Sequence, residues 1–77
     1  MPRMTPERWQ TLKCIFTLAG FAEWRSSGSH HIGSKPGAPR PIVIPAYKDV
    51  DPLIIRGLIR TAGITREQYF EFRQRCR

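Results

Sequence analysis

Two changes in hydrophobic periodicity divide this chain into a helical start, a β-rich middle and a helical end. Apolar residues recur at three- and four-residue intervals from Trp9 to Ala19, and Gly20 follows. That spacing is typical of a helix with one buried face, and glycine commonly follows a helix. From Phe21 to Pro45 the apolar runs are short and bounded by Gly, Ser and Pro, which indicates strands and turns. The chain therefore predicts a mixed α+β fold.

Capping and turn residues set the predicted boundaries. Thr5-Pro6 is a favourable helix start, because Thr can cap the first N–H groups and Pro fits the first helical position. Asp51-Pro52 repeats that signature, and Thr65 with Gln68 forms a capping-box pattern. The predicted elements are a helix at 5–19, strands at about 21–25, 30–34 and 40–45, and helices at 51–62 and 65–75.

This element order predicts a small two-layer sandwich. A three-stranded antiparallel sheet needs one face covered, and the first two helices carry the apolar stripes to cover it. The other face is left for a partner, and the third helix packs at one end or extends outward. A chain of 77 residues is too short for two stable cores. We therefore expect residues 1–77 to form a single domain.

The chain is strongly basic. Thirteen Lys and Arg residues oppose six Asp and Glu residues, for a formal net charge of +7. A charge this high on a small protein favours polyanionic partners such as nucleic acid or an acidic protein. The apolar runs fall well short of the roughly 20 residues of a membrane helix, and the first residues do not resemble a signal peptide. We expect a cytoplasmic domain that does not enter a membrane.

The cysteine and histidine pattern argues against a metal site. Cys14 and Cys76 could complete a four-ligand zinc site only with His30 and His31. Adjacent strand residues point to opposite faces, which suits chelation poorly. We expect Cys14 to act as a small hydrophobic residue on the first helix and Cys76 to be a free thiol in a frayed tail, because cytoplasmic disulfides are uncommon. No metal or other cofactor is expected.

The Ser-Ser-Gly-Ser turn before His30 and His31 is the best candidate for chemistry. Histidine can take and give a proton near neutral pH. A ribonuclease needs such a base to remove the proton of a ribose 2′-OH, so that the oxygen can attack the neighbouring phosphorus. Cationic side chains then stabilise the charge on the phosphoryl oxygens. The alternative is that both histidines are exposed strand residues without a role.

Three motifs, taken in order, resemble one protein family. They are Gly-Ser-His-His-Ile at 28–32, the strand Arg-Pro-Ile-Val-Ile-Pro at 40–45, and the helix that ends in Ala-Gly-Ile-Thr at 62–65. Together they resemble the HicA (YcfA-like) mRNA interferase toxins, over about residues 6–72. One departure is Gly33, where the family commonly has a bulky residue. A glycine there is expected to weaken the strand and leave the hairpin short and mobile.

The resemblance implies a function that composition alone does not. It implies a double-stranded-RNA-binding-like α-β-β-β-α fold, metal-independent cleavage of mRNA with arrest of translation and growth, and a HicB-type antitoxin as partner. The family's catalytic histidine maps to His30, or to His31 if the register shifts by one. The RNA contacts are expected at Arg25, Ser29, Lys35, Arg40 and Lys48.

Two other functions fit the same sequence. A non-catalytic module of this fold could bind RNA through its phosphates and 2′-OH groups. Alternatively, the last two helices could form a DNA-binding helix-turn-helix around Gly63. That arrangement needs exposed base-reading side chains on the last helix, and its Tyr69, Phe70 and Phe72 are more typical of a packed helix.

Overall fold

The computed structural model describes residues 3–77, and it confirms the predicted α+β class. The elements are α1 (Trp9–Leu18), β1 (Ala22–Ser27), β2 (His30–Ser34), β3 (Ile42–Pro45), α2 (Pro52–Ala62) and α3 (Arg66–Arg75). The three strands form one sheet in the order β1-β2-β3, and both pairings are antiparallel. Among residues 3–77, none of the helices combines the length and apolar character that crossing a bilayer requires.

The first helix begins four residues later than predicted. Thr5 and Pro6 lie outside α1, and Arg8 is its N-cap. The reason is a non-local pairing: the Glu7 N–H donates to the Val50 carbonyl at 3.2 Å, and the Val50 N–H donates back at 2.8 Å. This bridge removes Glu7 from the helix that the Thr-Pro signal predicts.

The remaining boundaries are close to the prediction. β2 occupies the predicted residues, whereas β1 runs two residues further and contains an irregularity where Glu23 adopts a φ of 53°. At α2, Asp51 Oδ1 accepts the Leu53 N–H at 2.8 Å, as the cap signature predicts. At α3, Thr65 and Gln68 form the predicted reciprocal capping box.

The core lies between one face of the sheet and the helices. Residues directly opposite on paired strands share a face, so the buried Ile42 and Ile44 place Gly33 and His31 on the helical side. The buried hydrophobic residues are Leu12, Ile15, Phe16, Phe21, Ile42, Ile44, Val50, Ile55, Leu58, Ile59, Ala62 and Tyr69. The third helix packs on α1, leaving the outer face of the sheet uncovered by any described helix.

Gly33 does not leave a gap in the sheet, which corrects the expectation that missing packing at the glycine weakens the strand and leaves the hairpin short. The Trp24 ring lies directly over it, and a Cβ built on Gly33 would come within 2.7 Å of that ring. The Trp24 Nε1–H donates to Thr17 Oγ1 at 3.0 Å, which fixes the ring between β1 and α1. The glycine is therefore the residue that admits the indole, opposite the irregularity in β1.

The cysteine prediction was wrong, because Cys14 and Cys76 form a disulfide between α1 and the end of α3. Helix α3 packs along α1 and brings the two Cα atoms to 5.9 Å, within the usual range for a disulfide. An ion pair joins the same two ends of the chain: Arg73 Nε lies 2.6 Å from the buried Glu7 carboxylate. The C-terminal helix is thus fastened to the N-terminal segment.

Candidate active site

Three segments meet at the end of the sheet where β2 begins. They are the β1–β2 turn, the start of α1 and the loop that follows β3. The Ala46 N–H donates to the Ser29 carbonyl at 2.7 Å, and the Trp9 N–H donates to the Tyr47 carbonyl at 3.2 Å. These backbone hydrogen bonds fix both histidines relative to the loop and the helix.

His30 lies on the outer face of the sheet. It pairs with Ser27 on one side and Pro45 on the other, and its side chain is exposed. Arg25 pairs with Ile32, which is two residues further along β2 than His30, so Arg25 lies on the same face as His30. Two residues of strand span about 7 Å. A phosphate above His30 would therefore be within reach of the long Arg25 side chain.

His31 lies on the opposite face, as the alternation of strand residues requires. Its ring stacks on the Trp9 indole with centroids 3.9 Å apart and planes 9° from parallel. Ser26 Oγ lies 3.5 Å from its Nδ1, at the limit of a hydrogen bond. Trp9, the first residue of the apolar repeat that predicts a buried helix face, is half-buried at the edge of the core. His31 is therefore held against the helix, whereas His30 faces solvent.

A basic cleft of about 320 Å³ adjoins the stacked pair. Its lining residues are Arg8, Trp9, Gln10, Ala46 and Lys48. The first turn of α1 contains no acidic residue, and the Arg8 side chain makes no capping hydrogen bond. The positive end of the helix dipole therefore adds to the charge of Arg8 and Lys48. We call this hollow the N-terminal cleft.

The structure separates the predicted RNA contacts into two groups. Ser29 and Lys48 lie at the histidine end of the sheet, and Arg25 shares the outer face with His30. Lys35 follows the other end of β2, where its Nζ donates to the Ala19 carbonyl at 3.0 Å. Arg40 precedes the start of β3 at that same far end. Lys35 and Arg40 are therefore not brought together with His30.

Sequence reasoning missed Arg8 and misjudged Trp9. The predicted helix at 5–19 includes both residues in its interior, where a basic residue resembles an ordinary surface residue. The observed start of α1 makes Arg8 the N-cap and places it on the wall of the cleft. A recognisable signal for a later helix start is absent, because the pairing of Glu7 with Val50 is non-local.

Residues 9–64 match the family model described as the HicA toxin of bacterial toxin–antitoxin systems. No curated protein and no solved structure gives a significant match. The matched segment contains α1, the whole sheet and α2, including both histidines and Lys48, and it ends before α3. Because it covers more than half of the chain, the protein belongs to the HicA family of toxins from bacterial toxin–antitoxin systems.

Proposed function

We propose that this toxin is an endoribonuclease that cleaves mRNA and thereby inhibits translation and growth. The observation that carries the proposal is the exposed His30, which lies on the uncovered face of the sheet in a chain of the HicA toxin family. The net charge of +7 supports a polyanionic substrate. The family resemblance implies that the reaction needs no metal ion.

In the proposed reaction, His30 acts as the general base. Its neutral imidazole takes the proton of a ribose 2′-OH, and the 2′ oxygen attacks the adjacent phosphorus. The P–O5′ bond breaks, and the leaving 5′ oxygen takes a proton from water. The products are a 2′,3′-cyclic phosphate and a 5′-OH end. Arg25 is placed to stabilise the charge that develops on the phosphoryl oxygens.

His30 is a better candidate than His31 for this role. The His31 ring is half-buried and one of its faces is covered by Trp9. The two imidazoles also lie on opposite faces of the sheet, so they do not form an acid–base pair over one phosphate. We therefore assign the base to His30 and give His31 a supporting role, in which its stack with Trp9 holds the start of α1 against β2.

The N-terminal cleft would hold the RNA backbone next to the reacting phosphate. Arg8 and Lys48 line it, and Ser29 lies in the adjoining turn. The charge of these residues would attract phosphates irrespective of sequence. Lys35 and Arg40 could contact only RNA that extends along the sheet to its other end, and Lys35 would first have to leave Ala19.

The partner of this toxin is an antitoxin, as family membership implies. We propose that it is of the HicB type and that it inhibits the enzyme by covering His30. An acidic surface on the antitoxin would complement the charge of +7. Association steered in this way should slow as the salt concentration rises.

Cleavage of a short RNA by purified protein tests the proposal. We expect His30→Ala to lower the rate by about 100-fold or more, because general base catalysis contributes about 10²–10⁴-fold. His31→Ala is the matched control, and a smaller loss is expected there. A substrate with a single 2′-deoxynucleotide at the cleavage position should resist the wild type. Unchanged cleavage by His30→Ala would refute the assignment of the base, and cleavage of the deoxy substrate would refute the mechanism.

The two alternative functions are less well supported. A non-catalytic RNA-binding module would leave RNA intact with the wild type as well as with His30→Ala. A helix-turn-helix would need a free recognition helix, but Tyr69 of α3 is buried and Phe70 and Phe72 pack against the core. Exposed residues of α3 include Glu67 and Glu71, whose carboxylates would repel DNA phosphates.

A further inference from the structure

We propose that a groove between α2 and the start of α3 is a second phosphate-binding site, which holds RNA a few nucleotides from the cleaved bond. The groove has a volume of about 260 Å³. Its lining residues are Met4, Arg56, Ile59, Arg60 and Arg66. We call it the arginine groove. The inference rests on the proposed function only for the choice of RNA as ligand.

Arg56 and Arg60 place two unpaired positive charges in the arginine groove, among the residues that the structure describes. Arg56 and Arg60 lie one turn apart on α2, both are exposed, and neither forms an ion pair with any residue in 3–77. Among the described residues, the groove is lined by no carboxylate. Guanidinium groups bind phosphate oxygens with two parallel hydrogen bonds, which makes arginine well suited to this ligand.

The third arginine closes the groove from α3. The Arg66 guanidinium carbon lies 5.5 Å from the centroid of the Phe70 ring, one turn further along the helix. A cation over an aromatic face is attracted to it, so this contact orients the Arg66 side chain. Met4 and Ile59 give the groove an apolar floor, against which a ribose or a base can pack. Two kinds of contact are therefore available to a nucleotide.

The extended segment 4–8 leads from the arginine groove to the N-terminal cleft. Met4 lines the groove and Arg8 lines the cleft, so residues 4–8 connect the two hollows. Four residue intervals span at most about 14 Å between Cα atoms. The acid in this segment is Glu7, which is buried and paired with Arg73. Residues 4–8 therefore present no exposed carboxylate to a negatively charged chain, while the exposed Asp49 and Asp51 flank Val50, which pairs with Glu7.

Two basic hollows in succession favour a phosphodiester backbone over an acidic peptide. A nucleic acid strand presents a charge at every nucleotide, so one strand can occupy both hollows. Grooves that bind single strands commonly accommodate about 4–16 nucleotides. A strand of that length is long enough to span the short separation of the two hollows. Phosphate contacts of this kind would position the RNA and would not select its sequence.

Binding of 2′-O-methyl oligonucleotides tests the proposal, because the blocked 2′ oxygen prevents cleavage. The affinity of a 4-mer and a 12-mer would be measured against salt concentration for wild type, Arg56→Gln and Arg60→Gln. Arg75→Gln is the matched control, since Arg75 is also an exposed arginine on a helix. For the 12-mer, each groove variant should weaken binding several-fold and lower the slope of log K against log salt by about 0.7 relative to the control. The 4-mer should show no such difference.

Three outcomes would overturn the proposal. If Arg75→Gln weakens binding of the 12-mer as much as the groove variants do, the affinity depends only on the net charge of the protein. If the groove variants weaken the 4-mer equally, there is no second site. If they leave RNA binding intact and instead weaken binding of the antitoxin, the groove is a protein-docking surface. The proposed function has a separate test. If the wild type does not cleave RNA but binding of the 12-mer still depends on Arg56 and Arg60, the proposed enzyme activity is rejected and the proposed phosphate-binding site stands.

Discussion

Breaking the disulfide between Cys14 and Cys76 should destabilise the fold substantially. The bond joins α1 to the last turn of the chain, across a sequence separation of 62 residues. Nearly the whole molecule therefore lies inside the closed loop. A cross-link of this kind acts mainly by restricting the unfolded chain, so its effect follows from loop length.

The magnitude can be worked from that separation. Closing a loop of this length removes about 14 cal/mol/K from the unfolded state, or about 4 kcal/mol at 25 °C. Measured disulfides commonly contribute about 2–4 kcal/mol. A chain of 77 residues has an unfolding entropy of about 160 cal/mol/K near its Tm, so this range corresponds to a fall in Tm of about 12–25 °C.

Thermal unfolding followed by circular dichroism checks the prediction, with and without a phosphine reductant. The reduced wild type and Cys14→Ser should both show the lower Tm. Cys14→Ser is also the control for the reductant, since its Tm should not respond to it. A thiol assay under native conditions should find no free thiol in the oxidised wild type.

Two outcomes would contradict this effect of the disulfide. Two titratable thiols in the native protein under oxidising conditions would mean that the bond does not form. A bonded protein whose Tm changes by less than about 3 °C on reduction would mean that packing of α3 on α1 already restricts the chain, and that the loop-entropy argument does not apply.

Two further predictions concern the packing of the core. Gly33→Ala should cost about 1–3 kcal/mol, because its new methyl group would lie 2.7 Å from the Trp24 ring; urea titration measures this, and Trp24→Leu in the same chain should relieve most of the cost. Burial, with Glu7 nearby, raises the pKa of Tyr69 to about 12. Since an unfolded tyrosine ionises near pH 10, stability should fall as the pH rises from about 10 to 12. Tyr69→Phe should remove that part of the pH dependence and otherwise leave stability within about 1 kcal/mol, because the buried hydroxyl has no hydrogen-bond partner among the described residues. A loss of more than about 2 kcal/mol at pH 7 would contradict this account.

The features predicted well from the sequence are those that local residues determine. The caps at Asp51 and Thr65 each involve side chains within three positions of the helix start, and both form as predicted. The β2 boundaries follow from the turn before His30 and the loop after Ser34. In these places local preference and tertiary packing agree, so a short window of sequence is sufficient.

The predictions were wrong where contacts between residues distant in sequence determine the structure. The Thr5-Pro6 cap is a reasonable local signal, yet the pairing of Glu7 with Val50 prevents it from being used. Cys14 pairs with Cys76 only because α3 packs on α1. The Trp24 ring fills the space beside Gly33 from the neighbouring strand, so the glycine resembles a weak point in the sheet only when Trp24 is left out of account. None of these partners is identifiable from periodicity or spacing.

The candidate site shows the same division. His30 follows from a local turn motif, and its exposed position on the outer face agrees with the alternation of strand residues. Arg8 and the role of Trp9 depend on where α1 begins, which a non-local pairing decides. Lys35 resembled a phosphate contact because it is basic and near the motif in sequence, but its Nζ is bonded to the Ala19 carbonyl.

The C-terminal helix α3, which lies outside the family match, holds the segment and the helix that border the candidate site. Arg73 of α3 pairs with Glu7, which bridges to Val50, and these contacts position the segment that leads to Arg8. The disulfide fastens the end of the same helix to α1, whose first residue stacks on His31. The matched residues 9–64 therefore provide both histidines and the whole sheet. Residues 66–77 hold the extended segment 4–8, which leads from the arginine groove to the N-terminal cleft. Both proposed RNA contacts beside that segment consequently depend on a helix that lies outside the matched residues.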